Sequence, residues 1–481
     1  MMLINPFWYV SGGQLIFTIK TDNNGTSLNN QFTIPTRGGY VYDYSVTTSD
    51  NQTINNNVGD LTISFTTPGT YDIKISGIFP TIYFNNVGDK DKIINVKQWG
   101  TIIWDILSYS FYGCSNIIVT AIDKPILTNV TTLHRMFSTC TSLTTPNLVN
   151  WEVSNVIDFG SMFLGCRVFN GDMSSWLMPT TINYSTNAMF NGCGLFTGFG
   201  LNSWDFSRNI DMGSMFKYCE SFNVDISGWD VSNVTSLIST FERCVSFTLP
   251  NLEIGNWDVS NVTTFNGTFR DIPIFNININ GWDMSNAIHT SNMFRGCTDF
   301  NQPLDLWDMS NVQLMPAMFA NCTNFNQPLN SWDTSSLIGS NSGIFFSAAS
   351  FNQDLDNWEM TNVTIIGNIF QGAFSFNGNI STWDVSNNIS LERAFDSATS
   401  FNQDLSTWDF SETTGFFQMG NNWDMSTENI DKLLIVLSNT VTINDRITTM
   451  VGTYSLGTAA EVAFLDLTVT RNWTISGLIG V

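Results

Sequence analysis

Charge is scarce in this chain of 481 residues, and positive charge is scarcest: Lys and Arg number 18 and only 12% of residues are charged. Asp and Glu number 41, so the formal net charge is -23. Such a surface repels nucleic acid and anionic membranes, and neither is an expected partner. Histidine occurs twice, at His134 and His289, which leaves almost no material for a Ser-His-Asp or Cys-His arrangement. There is no G-x-x-x-x-G-K-[ST] loop, no H-E-x-x-H, no EF-hand loop and no Cys-x-x-Cys pair, so the common phosphate, zinc and calcium motifs are missing. No apolar run reaches the length of about 18 residues that a spanning helix needs, and membrane insertion is not expected. The start, MMLINPFWYVSGGQLIFTIK, lacks a basic segment and a small-residue cleavage site, and it is not read as a secretory signal.

What is present is Asn, Ser, Thr and aromatics. Apolar residues make up 43% and aromatic residues 14%, enough to bury a large core. The chain is too long for one compact core and suits several domains or one elongated array. Tryptophan supplies the ruler. Trp151, Trp176, Trp204, Trp229, Trp257, Trp282, Trp307, Trp332, Trp358, Trp383 and Trp408 follow one another at intervals of 25 to 28 residues. The unit reads F-N-x-x-L-x-x-W-D-x-S-N-V-x-x-x-x-x-M-F-x-x-C. A period in this range means a solenoid, in which each coil covers the apolar side chains of its neighbour. F-N-x-x-L-x-x-W reads as the strand, Met-Phe-x-x-Cys as a helical or turn segment opposite it, and Ser-Asn as the bend between.

Three columns carry candidate chemistry. Cys166, Cys193, Cys219, Cys244, Cys297 and Cys322 lie three residues before the next coil's Phe, where other coils hold Ile272, Ala348, Ala373 and Ala398. A disulfide partner or zinc ligand would not tolerate Ala; a small buried filler does. The Trp-Asp step stacks Asp205, Asp230, Asp258, Asp283, Asp308, Asp333, Asp384 and Asp409 with Glu152 and Glu359. Like charges about 5 Å apart repel by roughly 0.8 kcal/mol in water, so each carboxylate is expected to accept hydrogen bonds from the following Ser-Asn turn, with Ca²⁺ along the column as the alternative. A catalytic carboxylate pair would occur once and not in every coil, so no catalytic residue is named and no enzyme is expected. The third column follows the Phe. Asn301, Asn326, Asn352 and Asn402 read as ladder residues. Gln302, Gln327, Gln353, Asp354, Gln403 and Asp404 read as an outward strip, the candidate binding surface.

FNQDLSTWDF, WDVSNVTSL and the recurring MF..C..FN link resemble the BspA-like leucine-rich repeats, a 25-residue surface-protein repeat common in mycoplasmas and other bacteria. The resemblance covers roughly residues 99–425, and QWGTIIWDILSYSFYGCSNI resembles its first coil. It implies a right-handed solenoid that binds or adheres at a surface, without catalysis. The stretches 180–200 and 335–349 depart from the motif and put local regularity in question. Ahead of the repeats, Leu15-Phe17-Ile19, Tyr40-Tyr42-Tyr44-Val46, Leu61-Ile63-Phe65 and Tyr71-Ile73-Ile75 alternate with period two, and about six strands suggest a small β-sandwich. TPGTYDIKISG resembles the late strands of immunoglobulin-like or PKD-like modules. The apolar INPFWYV before it is read as a first strand or as an anchor on a partner. After Trp423, STENIDKLLIVLSN reads as a capped helix, GTAAEVAFLDL as a second helix and TRNWTISGLIGV as a strand, together a C-terminal cap.

The expected layout is therefore a mainly β chain with short helices: a sandwich over 1–97, a leucine-rich-repeat solenoid over 98–425 and a cap over 426–481. The expected role is a non-enzymatic virion surface protein (tail fibre, decoration or receptor-binding) that meets a protein or glycan on a host cell and joins other virion proteins through its N-terminal region. A bacterial cell-surface adhesin is the alternative. No cofactor is expected beyond the Ca²⁺ alternative, and homo-oligomers are compatible with the sequence.

Overall fold

The computed structural model describes residues 13–247 and 253–481; the INPFWYV stretch lies outside them. The chain divides into two compact units, 1–233 and 234–481. It is mainly β with few short helices. No described helix is long and apolar enough to cross a membrane.

The first unit opens with strands β1 (Leu15–Lys20), β2 (Gln31–Ile34), β3 (Asp43–Thr48), β4 (Thr53–Asn57), β5 (Leu61–Ser64), β6 (Thr70–Ile78) and β7 (Ile93–Gln98), followed by the short β8 (Ile118–Val119). One sheet has the order β4-β3-β6-β1-β7-β8, and β2 pairs separately with β5. The period-two runs fall on β1, β3, β5 and β6 and turn Phe17, Val46, Ile63 and Ile73 inward. Phe17 meets Phe32 of the second pair edge-on at 6.0 Å. The loop into β2 is held by a buried ion pair. Lys92 and Asp89, 3.9 Å apart, have side chains with no exposure. Lys92 Nζ donates to the carbonyls of Ser27, Leu28 and Gln31. Asp89 accepts from the amides of Thr26, Ser27 and Thr33. Burial alone would raise its pKa; the hydrogen bonds from Ser27 and Thr33 together with the Lys92 charge outweigh this and hold the carboxyl below its usual range.

Strand β7 faces two ways. It runs antiparallel to β1 and parallel to β8, with Asn95 opposite Ile118 and Val96 opposite Val119. The expected boundary between residues 97 and 98 falls inside this strand, which starts the parallel stack.

Beyond β8 the unit consists of parallel β-solenoid coils, and so does most of the second unit. The strand is not where the motif suggested. It lies after the Ser-Asn-Val step, as β9 (Tyr184–Ser185) with β10 (Asn209–Asp211), β11 (Gly339–Ser340) with β12 (Val363–Ile365), and the bridges Thr132-Asp158-Ser185 and Ser236-Thr264-His289-Leu314. The expected F-N-x-x-L-x-x-W strand at 300–307 is loop and turn. Leu304 and Trp307 both point inward. A spacing of three cannot put two residues on one face of a strand; it needs a turn, which the Trp307 amide closes on the Leu304 carbonyl at 3.3 Å.

The Met-Phe-x-x-Cys segment is a double turn that also carries a ladder. From Arg135 to Cys140 the amides alternate. Those of Met136, Ser138 and Cys140 close turns on Leu133, Arg135 and Phe137, while those of Arg135, Phe137 and Thr139 bond Gly160, Met162 and Leu164 of the next coil at 3.0, 2.9 and 2.6 Å. No backbone donor in the segment is left unpaired. The same holds in the second unit, where Ala317, Phe319 and Asn321 bond Ser342, Ile344 and Phe346. The geometry requires a left-handed residue before the Met and another before the Cys: φ is 54° at Arg135 and 58° at Thr139. The two irregular stretches keep this pattern, with Ala188, Phe190 and Gly192 bonding Gly213, Met215 and Lys217.

The second unit ends in α1 (Thr427–Thr440), β13 (Ile447–Tyr454), α2 (Ala459–Leu465) and β14 (Thr474–Gly480), the last parallel to β13. Ser426 caps α1 and Thr458 caps α2. Both helices and β14 fall where the sequence placed them; β13 was not foreseen.

Thr139 is a β-branched residue held in the left-handed region, where the equivalent residues of the next coils are Gly165 and Gly192. Replacing Thr139 by Gly should raise stability by about 1 kcal/mol, and Gly192→Thr should lower it by at least as much. Urea denaturation of the full chain tests the pair; a Thr139→Gly variant less stable than the parent would refute the turn geometry.

Candidate interaction surface

The inward columns are structural. Trp282, Trp307, Trp332, Trp358, Trp383 and Trp408 each donate the indole N–H to a carbonyl of the preceding coil, from Ile254 to Ile380, at 2.8–3.2 Å. In the first unit Trp176, Trp204 and Trp229 do the same. Their rings stack, as with Trp332 and Trp358 at 6.2 Å, beside a second column in which Phe319 and Phe345 stand 5.7 Å apart. All eight cysteines are free and buried. Cys166 donates its thiol to the Phe137 carbonyl at 2.9 Å, and Cys322 to that of Phe294 at 2.9 Å. Burial pushes the Cys219 and Cys297 thiols up, away from reactivity. The two histidines are half-buried; His134 faces Asp158 at 3.4 Å, and His289 sits in the parallel bridge column.

The aspartate column closes turns. Asp205, Asp230, Asp258, Asp283, Asp308, Asp333, Asp384 and Asp409 each accept the amide of the Ser two residues on, at 2.9–3.1 Å. Hydrogen bonds from the Ser side chain and backbone hold the Asp283, Asp333 and Asp384 carboxyls below their usual range. The Asn of the same step ties coils together: Asn286 donates to the Ser260 carbonyl and Asn311 to that of Ser285. Among the described residues no three His, Cys, Asp or Glu side chains gather where a metal ion could sit.

The strip after the Phe is a side-chain ladder. The amides of Asn301, Asn326, Asn352, Asn377 and Asn402 donate to the Oδ1 atoms of Asn276, Asn301, Asn326, Asn352 and Asn377, each one coil back, at 2.8–3.0 Å. Gln302, Gln327, Gln353 and Gln403 bond the same Oδ1 atoms at 2.9–3.0 Å. The four glutamines are therefore half-buried and committed to neighbouring coils. Asp354 accepts the Asn379 amide at 2.8 Å, and Asp404 accepts that of Ser406 and pairs with Lys432 at 3.0 Å. Of the six candidates the four glutamines turn their amides to the ladder, while Asp354 and Asp404 are held by other partners. A depression of about 400 Å³ opens instead on the turn side of the second unit, with Arg295, Phe346, Gln371 and Arg393 in its walls. No motif marks it, because its residues come from successive coils about 25 positions apart. The one local sign is the small Ala317, Ala320 and Gly343 at turn positions.

These columns define a repeat protein of the parallel β-solenoid class. Four segments, 83–186, 184–253, 248–343 and 339–449, match a family described as Mycoplasma protein of unknown function, DUF285. They span about three quarters of the chain, which belongs to that family. No curated protein and no solved structure matches the chain.

Asn326→Ala removes the acceptor for Asn352 and Gln353 and should cost about 1–2 kcal/mol, with faster amide exchange at Asn352, while Asn326→Asp, which keeps the acceptor, should cost clearly less. Equal losses would count against the ladder. At the turn, Asp333→Ala should cost up to about 1 kcal/mol and Asp333→Asn less. The folded Asp333 carboxyl titrates below the unfolded value of about 3.9, so its contribution is complete above that pH and declines as pH falls through the folded pKa. The stability of the parent relative to Asp333→Asn should therefore shrink on acidification below about pH 4. Adding Ca²⁺ or EDTA should leave the melting temperature unchanged; a rise with Ca²⁺ would favour an ion on the column.

Proposed function

We propose that the chain is a non-enzymatic binding and structural protein, a solenoid scaffold that presents side chains at a surface. One observation carries this reading. The polar residues that recur along the solenoid (the Asp of the turn, both Asn columns and the Gln beside one of them) are engaged in hydrogen bonds within or between coils. What differs from coil to coil is the turn surface, where half-buried Arg295, buried Ala320 and half-buried Phe346 and Gln371 succeed one another at equivalent places. Recurring positions build; differing positions recognise.

In this proposal the solenoid is a right-handed leucine-rich-repeat array of the BspA type. The strands before it form an immunoglobulin-like or PKD-like sandwich that attaches to a carrier, and the α1–β14 segment caps the last coil. The carrier is a virion, on which the chain serves as a tail-fibre, decoration or receptor-binding protein facing a host cell. The second reading, a bacterial cell-surface adhesin, is favoured by the match to a family described from Mycoplasma. Antibody raised against the solenoid and labelled with gold should decorate intact particles or cells from outside. Decoration of purified virions supports the first carrier, decoration of cell envelopes the second, and label confined to the cell interior would overturn both.

A further inference from the structure

We propose that the depression on the turn side of the second unit is a binding site for an acidic glycan chain. The proposal rests on the scaffold reading above and names its ligand.

The site begins where the turns lose their bulk. Ala317, Ala320 and Gly343 leave a floor between larger neighbours, and the cavity is about 400 Å³. One arginine stands at each end. Arg295 and Arg393 lie four coils apart, roughly 20 Å at about 4.8 Å per step. Among the described residues neither arginine forms an ion pair. Arg295 has only a long contact from Nη1 to Asn292 Oδ1, at 3.5 Å. Arg393 donates Nε to Gln418 Oε1 at 2.9 Å and lies over the Phe417 ring at 5.4 Å, which fixes its plane and leaves its terminal nitrogens to face a ligand. Two guanidinium groups without a carboxylate partner flank one groove in a molecule that carries 18 basic and 41 acidic residues. No carboxylate lines the groove. Nearby ones are mostly engaged: Asp271 contacts Arg270 at 3.6 Å, and Asp396 accepts from Gln371 and Asn421 at 3.0 and 3.1 Å. Glu392 is the exposed acidic neighbour. Charges farther than about 8 Å are largely screened at physiological ionic strength, so the two arginines and not the net charge decide what binds here. Guanidinium groups hold carboxylates and sulfates through paired N–H bonds.

The body of the ligand follows from the backbone. The amides of Ala317, Gly343 and Asn368 are spent on the next coil, bonding Ser342, Gly367 and Glu392 at 2.8–3.0 Å. None of these three amides is open for an extended peptide to join. What the groove offers is the Phe346 ring, the Ser342 hydroxyl and the side-chain amide of Asn368, beside a Gln371 side chain already held by Asp396. An apolar ring beside hydroxyl and amide groups suits a chain of sugar rings with many hydroxyls, and the arginines at the ends suit its acidic groups.

Isothermal titration of the full chain with polygalacturonate, heparin and hyaluronate oligosaccharides tests this, with a poly-glutamate peptide as comparison. At least one acidic glycan should bind, the carboxylated and sulfated arms identifying the acid. Arg295→Ala and Arg393→Ala should each weaken binding about tenfold, the scale of one lost charge-assisted hydrogen bond, and the double variant should abolish it. Phe346→Ala should weaken it too. Lys97→Ala, the same charge change far along the sequence, should leave it intact. Unchanged melting temperatures show that the variants fold. Binding to none of the glycans, binding equal in the double variant, or arginine-dependent binding of the peptide alone would each overturn the glycan site. If the double variant still coats cells or particles, the groove fails and the scaffold stands; if the parent chain coats nothing, the scaffold fails.

Discussion

Each coil must curl back on itself while bonding the coil beyond, and one backbone device meets both demands. Around the Met-Phe step alternate amides close turns within the coil, and the amides between them reach the next coil. An ordinary strand would bond outward but could not curl; a helix would curl but would spend its donors on itself. The device needs two left-handed residues per coil, such as Ala317 and Asn321, and at a residue like Ala317 this costs roughly 1–2 kcal/mol. Stacking is what holds them there, because each left-handed amide, from Ala317 or Asn321, is satisfied only by the neighbouring coil.

Side chains extend the same logic where the backbone cannot reach. Between Phe and Leu the chain is no strand, and Asn Oδ1 supplies the acceptor for the next coil's amide. At the bend, Asp Oδ1 takes the Ser amide. Some of these contacts are dispensable, and carbonyl sharing explains which. The Phe137 carbonyl accepts both the Cys140 amide and the Cys166 thiol. Losing the thiol leaves the carbonyl satisfied, which is why Ala348, Ala373 and Ala398 can stand in the cysteine column without cost in unpaired groups. A tryptophan has less freedom. Its buried indole N–H takes a backbone carbonyl one coil away, that of Leu304 for Trp332, of Ile254 for Trp282 and of Met173 for Trp204, so the indole depends on the stack and not on the residue that supplies the carbonyl.

Much of this was legible in the sequence. The tryptophan intervals marked the coils, the cysteine-to-alanine exchanges marked a buried filler, and the Asp-x-Ser spacing marked the turn. The strand was misplaced because Leu and Trp at a spacing of three look like a regular inward face until one asks what backbone puts both inside. The glutamines looked outward because a polar residue beside a ladder Asn gives no sign of bonding that Asn one coil back; Gln327 does so across 26 positions. The left-handed residues were hidden for a different reason. Gly165, Gly192 and Asn321 favour the conformation by themselves, but Arg135, Thr139, Ser161, Ala188 and Ala317 share no chemistry; at these the conformation is imposed by the stack and not chosen by the residue.

That indifference has a functional consequence. At a ladder Asn or a turn Asp the side chain is fixed by what the coil requires. At the turn positions the coil requires only a backbone shape, so the side chain is free to serve something else. Arg295, Ala317, Phe346 and Arg393 all occupy or adjoin these positions. A groove there costs the scaffold little, because replacing a large turn residue by Ala or Gly removes no hydrogen bond between coils. The side of the coil that is most constrained in backbone is therefore the side least constrained in side chain, and a repeat protein that acquires a ligand has most room to acquire it on that face.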